Sequence, residues 1–253
     1  MKTAKLFWQI PYKIYIFTLF VVLAIILQPF LLLCLRREKL HKMAHRIFVF
    51  WSYVYCTLCG WIIKVEGKEH LKKGESYIIV ANHSSFLDIF LLPKIFRQFK
   101  HVFLGKAEIL SYPIIRHYFS NYHIPVFRGN KVKAAKSIIT AGKKIKKGWS
   151  IVIFPEGGID DQPKPHLSPF KNGSFQLAKQ LECPILPMTF KNNFIHLDEP
   201  ISFWSNAQPG IIRIKIHPVI TKAEVIAHSL TELKNRCYEE IHLELMGIPA
   251  EKV

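Results

Sequence analysis

Uncharged apolar residues dominate the first part of the chain. Residues 14–35, IYIFTLFVVLAIILQPFLLLCL, include no Asp, Glu, Lys or Arg. As a helix this stretch is about 33 Å long, which matches a bilayer hydrocarbon core of about 30 Å. A cleaved secretory peptide is the alternative, but the stretch is longer than the apolar part of such peptides, and charged RRE follows where the cleavage site should be. The pattern therefore predicts a retained membrane segment.

A second uncharged stretch, residues 47–63, is shorter and rich in Trp and Tyr, which favour the headgroup boundary. Two full crossings would place the basic connector RREKLHKMAHR outside the cell, against the positive-inside rule. A hairpin dipping into one leaflet keeps every basic segment on one side, and Pro29 is expected to supply its bend. We therefore predict a membrane-anchoring helical hairpin over residues 1–63, on the cytoplasmic face, and one further domain over residues 64–253.

After Gly67 the pattern alternates between short apolar runs and helix-like spacing. The sequence predicts strands at SYIIVAN, HVFLGKAE, YHIPVF, WSIVIF, CPILPMTF and GIIRIKIHPVI. Helices are predicted between these strands at residues 85–96, near 110–120, at 131–148 and 172–181, and from about Ser229 onward. This alternation predicts an α/β fold with a central, largely parallel or mixed sheet flanked by helices.

The chain is strongly basic, with a formal net charge of +17. Residues 94–147 contain thirteen Lys and Arg against the single acid Glu108. Such a balance predicts an anionic partner. Charge alone does not decide whether that partner is a membrane surface, nucleic acid or a phosphorylated substrate. For most of residues 131–147 a solvated helix face is the simpler interpretation.

The cysteines give no sign of a disulfide framework, because there are five of them in a long chain. Cys56 and Cys59 form a C-x-x-C pair, but they lie in an apolar aromatic run without a second ligand pair. Ordinary packing in a reducing, cytosol-facing location is therefore the favoured interpretation of this pair.

Polar residues stand at three strand ends: Asn82-His83, Arg128 after PVF, and Glu156 after IFP. Sites in open α/β sheets form at the carboxyl ends of strands, so these residues are expected to converge on one crevice.

His83 and Asp88 are candidates for general-base chemistry. Ser85 and Asp88 fit the S-x-x-D capping pattern at a helix start, which accounts for Asp88 but not for His83. The same turn can bring the carboxylate back to the imidazole, as in a base with its orienting partner. No G-x-S-x-G elbow or partnered Cys supplies a protein nucleophile, so the base would deprotonate water or the hydroxyl of an acceptor. Metal binding by His83 and Asp88 is disfavoured because no third ligand has a convincing spacing.

Four segments in this order, NHSSFLD, VFRG, FPEGG and PILPM over residues 82–188, resemble the four motif blocks of the lysophospholipid acyltransferases, the 1-acylglycerol-3-phosphate O-acyltransferase family. The pairing of Asn-His-x4-Asp with Phe-Pro-Glu-Gly about 70 residues later is more specific than either block alone. The resemblance covers roughly residues 65–220, and a membrane hairpin in front of them also fits the family.

The resemblance implies acyl transfer from acyl-CoA or acyl-carrier protein to the free hydroxyl of a lysolipid, most simply 1-acyl-sn-glycerol-3-phosphate, in phospholipid synthesis. It implies residues 64–253 as the acyltransferase catalytic domain, with His83 as general base, Asp88 as its partner and no cofactor or metal. The residues expected to bind substrate are Asn82, Lys106, Arg128, Glu156, Gly157 and Lys171. Expected partners are the lysolipid, the acyl donor and an anionic membrane surface, and no nucleic acid.

One position departs from the family pattern. The third block usually continues Glu-Gly-Thr-Arg, whereas this chain has Gly158 and Ile159. Arg binds phosphate through a bidentate fork, so its absence leaves two possibilities. Either Lys106, Arg128 and Lys171 bind a phosphate acceptor instead, or the acceptor is a lysolipid with another head, such as an amino-acid lipid.

Two other functions are compatible with part of this pattern. A membrane-bound thioesterase or lipid hydrolase would use the same base on water, but its site would have to admit water and exclude the lipid hydroxyl. A non-enzymatic, membrane-anchored binder of nucleic acid or acidic protein would use the basic block. That block lacks the interleaved aromatics of a single-strand platform, and a binder does not account for His83, Asp88 and Glu156.

Overall fold

The computed structural model describes residues 2–111, 113–127, 129–198 and 205–247, of which residues 2–7 and 113–115 are described by their backbone alone. Its sheet has seven strands: β1 (Trp61–Glu66), β2 (Ile78–Ala81), β3 (His101–Lys106), β4 (Ile124–Val126), β5 (Ser150–Ile153), β6 (Ile185–Phe190) and β7 (Gly210–Ile216). Their order across the sheet is β1-β7-β6-β2-β5-β3-β4. Every adjacent pair is parallel except β6 with β7, so β1 and β7 run opposite to the other five. The predicted mixed α/β sheet is confirmed.

The helices are α1 (Lys2–Leu35), α2 (His41–Leu58), α3 (Leu87–Ile95), α4 (Pro113–Asn121), α5 (Lys131–Lys146), α6 (Gly173–Leu181), α7 (Asn193–His196), α8 (Lys222–Ala227) and α9 (Leu230–Met246). They cover both faces of the sheet. On one face, Ile78 and Val80 of β2 share a core cluster with α5, α6, α9 and the end of α1. On the other, α1, α2 and α3 pack on Tyr77 and on Ile79 and Ala81 of β2. Burial on both faces explains why β2 is continuously apolar.

The first two helices form a helical hairpin, as predicted, while its anchoring in a membrane remains a prediction. The hydroxyls of Tyr12 and Tyr15 in α1 donate to the carbonyls of Cys59 and Leu58 at the end of α2, at 2.6 and 3.0 Å. The predicted bend at Pro29 is wrong, because α1 continues through Pro29 to Leu35 and the chain reverses over residues 36–40. A proline inside a helix is unfavourable, because it lacks an N–H and its ring crowds the preceding turn, but it does not force the chain to reverse. The reversal falls instead on the charged, solvent-compatible RREK segment.

The second apolar stretch ends earlier than the sequence suggested. The sequence predicts Trp61 to Ile63 as part of the hairpin, but the structure places them at the start of β1, which pairs in parallel with β7. Trp61, Ile63 and Val65 alternate with more exposed Ile62 and Lys64, the period of a half-buried strand. The division into domains at residue 63 remains a prediction.

The hairpin rests on α3 and leaves much of its surface uncovered. Ser52 Oγ donates to the Phe90 carbonyl at 2.5 Å, and Phe20 packs against Trp51 and Phe90. Along α1, by contrast, large apolar side chains recur on an exposed face at Ile14, Phe17, Val21, Ile25 and Leu33. Within the described residues, α1 from Trp8 is the helix that is long and apolar enough to cross a membrane.

Candidate active site

The candidate site begins at the carboxyl end of β2, where the chain makes a tight turn into α3. His83 Nδ1 lies 3.0 Å from Asp88 Oδ2, so the turn forms the predicted contact between imidazole and carboxylate. The His83 side chain is 11% exposed and that of Asp88 is fully buried. A proton on Nδ1 would be donated to Asp88, and the lone pair of the ring would then lie on Nε2.

Asp88 accepts hydrogen bonds from four donors. Oδ2 accepts from the backbone N–H groups of Ser84 and Ser85, at 2.9 and 3.0 Å, as well as from His83. Oδ1 accepts from Asn193 Nδ2 at 2.6 Å. A buried carboxylate needs such partners to offset its lost hydration. The arrangement holds Asp88 as a hydrogen-bond acceptor in a fixed orientation.

The capping pattern predicted from Ser85 and Asp88 is only partly formed. The Asp88 side chain accepts from the Ser85 backbone as a capping box requires, but Ser85 Oγ accepts from the Leu87 N–H at 3.0 Å and donates to the Leu197 carbonyl. Ser85 is therefore tied to the segment after α7, and Asp88 combines a local backbone role with its contact to His83.

Asn193 was missed by the sequence analysis. It is fully buried at the start of α7, three residues beyond the end of β6, and β6 is the direct neighbour of β2. The sequence does mark this position as it marks the other strand ends, because the polar triplet KNN follows the apolar run PILPMTF. In the described part of the chain its side-chain oxygen has no hydrogen-bond partner, so the amide is committed to Asp88 through its nitrogen alone.

Phe154 fixes the plane of the imidazole. It follows β5, the other neighbour of β2, and its ring stacks on that of His83 with centroids 4.0 Å apart and planes 14° apart. Aromatic stacking of this kind contributes about 0.5–1.5 kcal/mol beyond simple burial. The carboxylate contacts one edge of the ring while Phe154 covers one face.

Glu156 bridges two backbone segments at the carboxyl end of β5. Oε1 accepts from the His83 N–H at 2.6 Å, and Oε2 accepts from the Ser168 N–H at 2.9 Å. Burial raises its pKa to about 7, with the nearby carboxylates of Asp160 and Asp88 adding to the rise and the two backbone bonds opposing it. These contacts support a bracing role, and contact with a substrate remains a prediction.

The loop after Glu156 turns sharply and approaches Lys106. Gly157 has φ +86°, and Gly158 has φ +155°, conformations that favour glycine. A side chain on Gly158 would begin 3.5 Å from Lys106 Nζ. Lys106 ends β3, so its ammonium lies beside the loop where the family pattern continues and where this chain lacks an Arg.

The structure gives Asn82 and Lys171, two of the other predicted substrate-binding residues, different surroundings. Asn82 is fully buried, and its side chain donates to the Phe190 carbonyl at 3.0 Å and accepts from the Phe190 N–H at 2.7 Å, which ties β2 to β6. The Lys171 backbone donates to the Pro155 carbonyl, and its side chain is exposed. Arg128 lies outside the described residues. Substrate binding by these three residues remains a prediction.

The comparisons with known proteins identify a family for the segment that carries this site. The family model described as Acyltransferase matches residues 62–191, just over half of the chain. The chain is 28% identical over 228 residues to the chloroplastic 1-acyl-sn-glycerol-3-phosphate acyltransferase BAT2 of Brassica napus, covering 88% of this chain and 62% of that protein. It is 32% identical over 151 residues to the yeast 1-acyl-sn-glycerol-3-phosphate acyltransferase of Saccharomyces cerevisiae, covering 55% and 46%. The chain thus spans about half to three fifths of the length of these curated relatives.

The fold also matches a solved structure. The crystal structure of the 1-acyl-sn-glycerophosphate acyltransferase PlsC from Thermotoga maritima superposes with a TM-score of 0.77 at 22% identity, covering 99% of this chain and 98% of that one. The matched segment of the family model includes His83, Asp88 and Glu156, and ends beside Asn193. On this evidence the chain belongs to the Acyltransferase family.

Proposed function

We propose that this protein is an O-acyltransferase that moves a fatty acyl chain from a thioester, acyl-CoA or acyl-carrier protein, to the free hydroxyl of 1-acyl-sn-glycerol-3-phosphate. The observation that carries the proposal is the hydrogen bond between His83 Nδ1 and Asp88 Oδ2, set at the carboxyl end of the central strand β2. The names of the relatives supply the acceptor.

In the proposed reaction His83 Nε2 takes the proton of the acceptor hydroxyl as its oxygen attacks the thioester carbonyl. The tetrahedral intermediate then expels the thiolate, which takes the proton back from His83. The ester and the free thiol are the products, and no group on the protein is consumed. Asp88 orients the ring and stabilises the imidazolium that forms between the two steps.

The backbone donors of the turn are already in use. The N–H of His83 is bonded to Glu156, and those of Ser84 and Ser85 are bonded to Asp88. We therefore expect donors outside these three residues to bind the oxyanion. A thioester is an activated acyl group, so positioning of the hydroxyl and removal of its proton supply much of the catalysis.

For the acceptor phosphate we propose Lys106, whose ammonium lies beside the loop of the third motif. Its position beside Gly158 places a positive charge next to the third motif, where the family pattern has Arg and this chain has Ile159. Lys is a compact point charge rather than a planar fork, so it binds phosphate with less geometric selectivity. Arg128, Glu156, Gly157 and Lys171 remain proposed acceptor contacts.

We further propose that α1 and α2 seat the enzyme in one leaflet of the membrane, on its cytoplasmic face. The support is the exposed apolar face of α1, where Phe17 is 62%, Ile25 63% and Leu33 59% exposed. An exposed apolar surface of this extent is costly in water and marks a membrane or partner contact. The reversal over residues 36–40 is rich in Arg and Lys, which suits the headgroup region.

A panel of lysolipid acceptors tests the function. Purified protein in detergent is incubated with a radiolabelled acyl-CoA or acyl-carrier protein and with lysolipids that differ only in their heads. The proposal predicts transfer to 1-acyl-sn-glycerol-3-phosphate above all others. Preference for a head without phosphate would favour the amino-acid lipid that the Ile159 departure suggests, and release of free fatty acid without transfer would favour a thioesterase.

A further inference from the structure

A groove lies at the end of the sheet opposite to His83. Its volume is about 530 Å³, within the usual range of ligand sites. It is bounded by the outer part of β1, the segment that follows β1, and the end of α3 with residues 97–99. Because β1 runs opposite to β2, its carboxyl end lies at the amino edge of β2 and β3, whereas His83 follows the carboxyl end of β2.

The floor of this groove is apolar. Ile63 and Val65 contribute the face of β1 that points toward α3, and Leu71, Ile95 and Phe99 extend it. The polar side chains of β1 lie on the other face of the strand, where Glu66 pairs with Lys215 at 3.5 Å. The floor is thus suited to a hydrocarbon chain rather than to a polar metabolite.

The rim of the groove is cationic. Lys68 and Lys73 stand on one side, and Lys94 and Arg97 stand on the other. No Asp or Glu is among the described residues that line it. In the described part of the chain none of these four cations forms an ion pair with a carboxylate, although Lys94 Nζ lies 4.7 Å from the Tyr53 ring centroid. Four positive charges around an apolar floor complement a phosphate attached to acyl chains.

Tyr53 connects the groove to the hairpin. It lines the groove, it is 59% exposed, and it lies on the face of α2 that also presents Met43 and Phe50, since residues 43, 50 and 53 are spaced by seven and three positions. Tyr side chains favour the boundary between headgroups and hydrocarbon. The groove therefore borders the surface that we propose sits in the membrane.

We infer that this groove binds an anionic membrane phospholipid, separately from the substrates of the active site. The phosphate lies among Lys68, Lys73, Lys94 and Arg97, and an acyl chain lies along Ile63 and Val65. The bound lipid is not a reactant. It holds the enzyme against an anionic bilayer beside the hairpin. Binding of the lipid to the groove requires both the charge of its head and its apolar chain.

Two variants with matched controls test the charge and the floor. Lys68, Lys73, Lys94 and Arg97 are all changed to Gln, against a control in which the exposed Lys131, Lys136, Lys143 and Lys146 of α5 are changed to Gln. Val65→Trp fills the floor, and Ile62→Trp places the same ring on the opposite face of β1. The full chain in neutral detergent is titrated with fluorescent short-chain phosphatidylglycerol and, separately, with phosphatidylcholine of the same chain length. Thermal unfolding checks each fold.

The inference predicts one saturable site for phosphatidylglycerol, weakened at least tenfold by both groove variants and less than twofold by both controls. Phosphatidylcholine binds at least tenfold more weakly, and inorganic phosphate competes only poorly. Non-saturable binding, equal affinity for both lipids, or an equal loss in the α5 control would overturn it. Acyl transfer in detergent is measured on the same samples. The groove variants should keep acyl transfer, because the groove is separate from the active site, and loss of transfer in them would overturn that separation. If the wild type itself transfers no acyl chain, the proposed function fails, whereas the lipid titration still tests the groove.

Discussion

Asn193 Nδ2 donates to Asp88 Oδ1 at 2.6 Å, while the other oxygen of Asp88 accepts from His83. Asn193 follows β6 and His83 follows β2, so a hydrogen bond across neighbouring strands orients the carboxylate behind the proposed base. An orienting partner of this kind supports catalysis without touching the substrate. Asn193 is therefore proposed as a positioning residue.

Changing Asn193→Ala is expected to lower kcat by about 10- to 100-fold, by analogy with the partners that orient metal-binding side chains, with little effect on KM for either substrate. Asn193→Asp places a second carboxylate against Asp88 and should be worse at neutral pH, but should recover partly toward acid pH, where the protonated side chain donates again. Steady-state kinetics over pH measure both effects.

Asn192 provides the control for Asn193. Its side chain bonds the backbone of Ile211 and Arg213 rather than Asp88, so Asn192→Ala should lower the melting temperature while leaving kcat within a few-fold of the wild type. Equal losses of kcat in the Asn192 and Asn193 variants, or a flat pH response of Asn193→Asp, would show that Asn193 is merely structural.

The raised pKa of Glu156 predicts that the stability of the folded protein depends on pH. Its pKa is about 7 in the folded protein against an ordinary value of 4.5, because it is buried. The folded state therefore binds this proton more tightly than the unfolded state does, and protonation of Glu156 stabilises the fold. That stabilisation is complete below about pH 4.5 and is lost as the pH rises through 7. At about 1.4 kcal/mol per pH unit the loss is about 3 kcal/mol.

Glu156→Gln removes that titration, although it also sacrifices one backbone hydrogen bond. Melting temperatures of the wild type and the variant are compared from pH 5 to pH 8.5. The difference between them should move in favour of the variant as the pH rises, whatever its value at pH 5. A difference that stays constant across this range would mean that Glu156 does not titrate there.

The exposed face of α1 predicts how the protein attaches to membranes. Introducing Lys at Phe17, Ile25 and Leu33 together should release the protein from vesicles, because a charge in the hydrocarbon region costs about 2.5–3.5 kcal/mol by insertion scales. The control replaces Leu31, Cys34 and Leu35, which face the core, by Ala. That control should lose stability yet stay membrane-bound in flotation assays, and release of both variants alike would contradict the proposed seating.

Lys106 is predicted to set the preference for a phosphate head. Lys106→Met should raise KM for 1-acyl-sn-glycerol-3-phosphate by about tenfold or more, since a hydrogen bond to a charged group contributes about 1.5–3 kcal/mol, and should leave KM for the acyl donor unchanged. Lys143→Met, on the exposed face of α5, is the charge-matched control. An unchanged KM for the phosphate acceptor in Lys106→Met would assign head recognition to other residues.

Much of the fold and of the candidate site could be predicted from the sequence, because polar residues directly follow several of the apolar runs that form strands. The turn from Asn82 to Asp88 predicted the contact between imidazole and carboxylate, which the structure has at 3.0 Å. The alternation of apolar runs and helical spacing predicted the α/β sheet, although β1 was hidden because Trp61 to Ile63 continue an apolar aromatic stretch.

What could not be predicted depends on contacts distant in sequence. The bond from Asn193 spans 105 residues and needs the order of β6 beside β2, which no local pattern specifies. The same holds for Glu156, whose partners are the N–H groups of His83 and Ser168 rather than any side chain. The course of α1 through Pro29 also depends on packing, since local propensity favours a break there.

The proposed mechanism requires the His83 imidazole to remove the proton of the acceptor hydroxyl, and the rate of acyl transfer by His83→Ala measures that contribution. With both substrates saturating and the melting temperature close to that of the wild type, the variant is predicted to lose about 10²–10⁴-fold in kcat, the contribution of a positioned general base. A folded His83→Ala protein that transfers acyl chains within tenfold of the wild-type rate would exclude His83 as the general base.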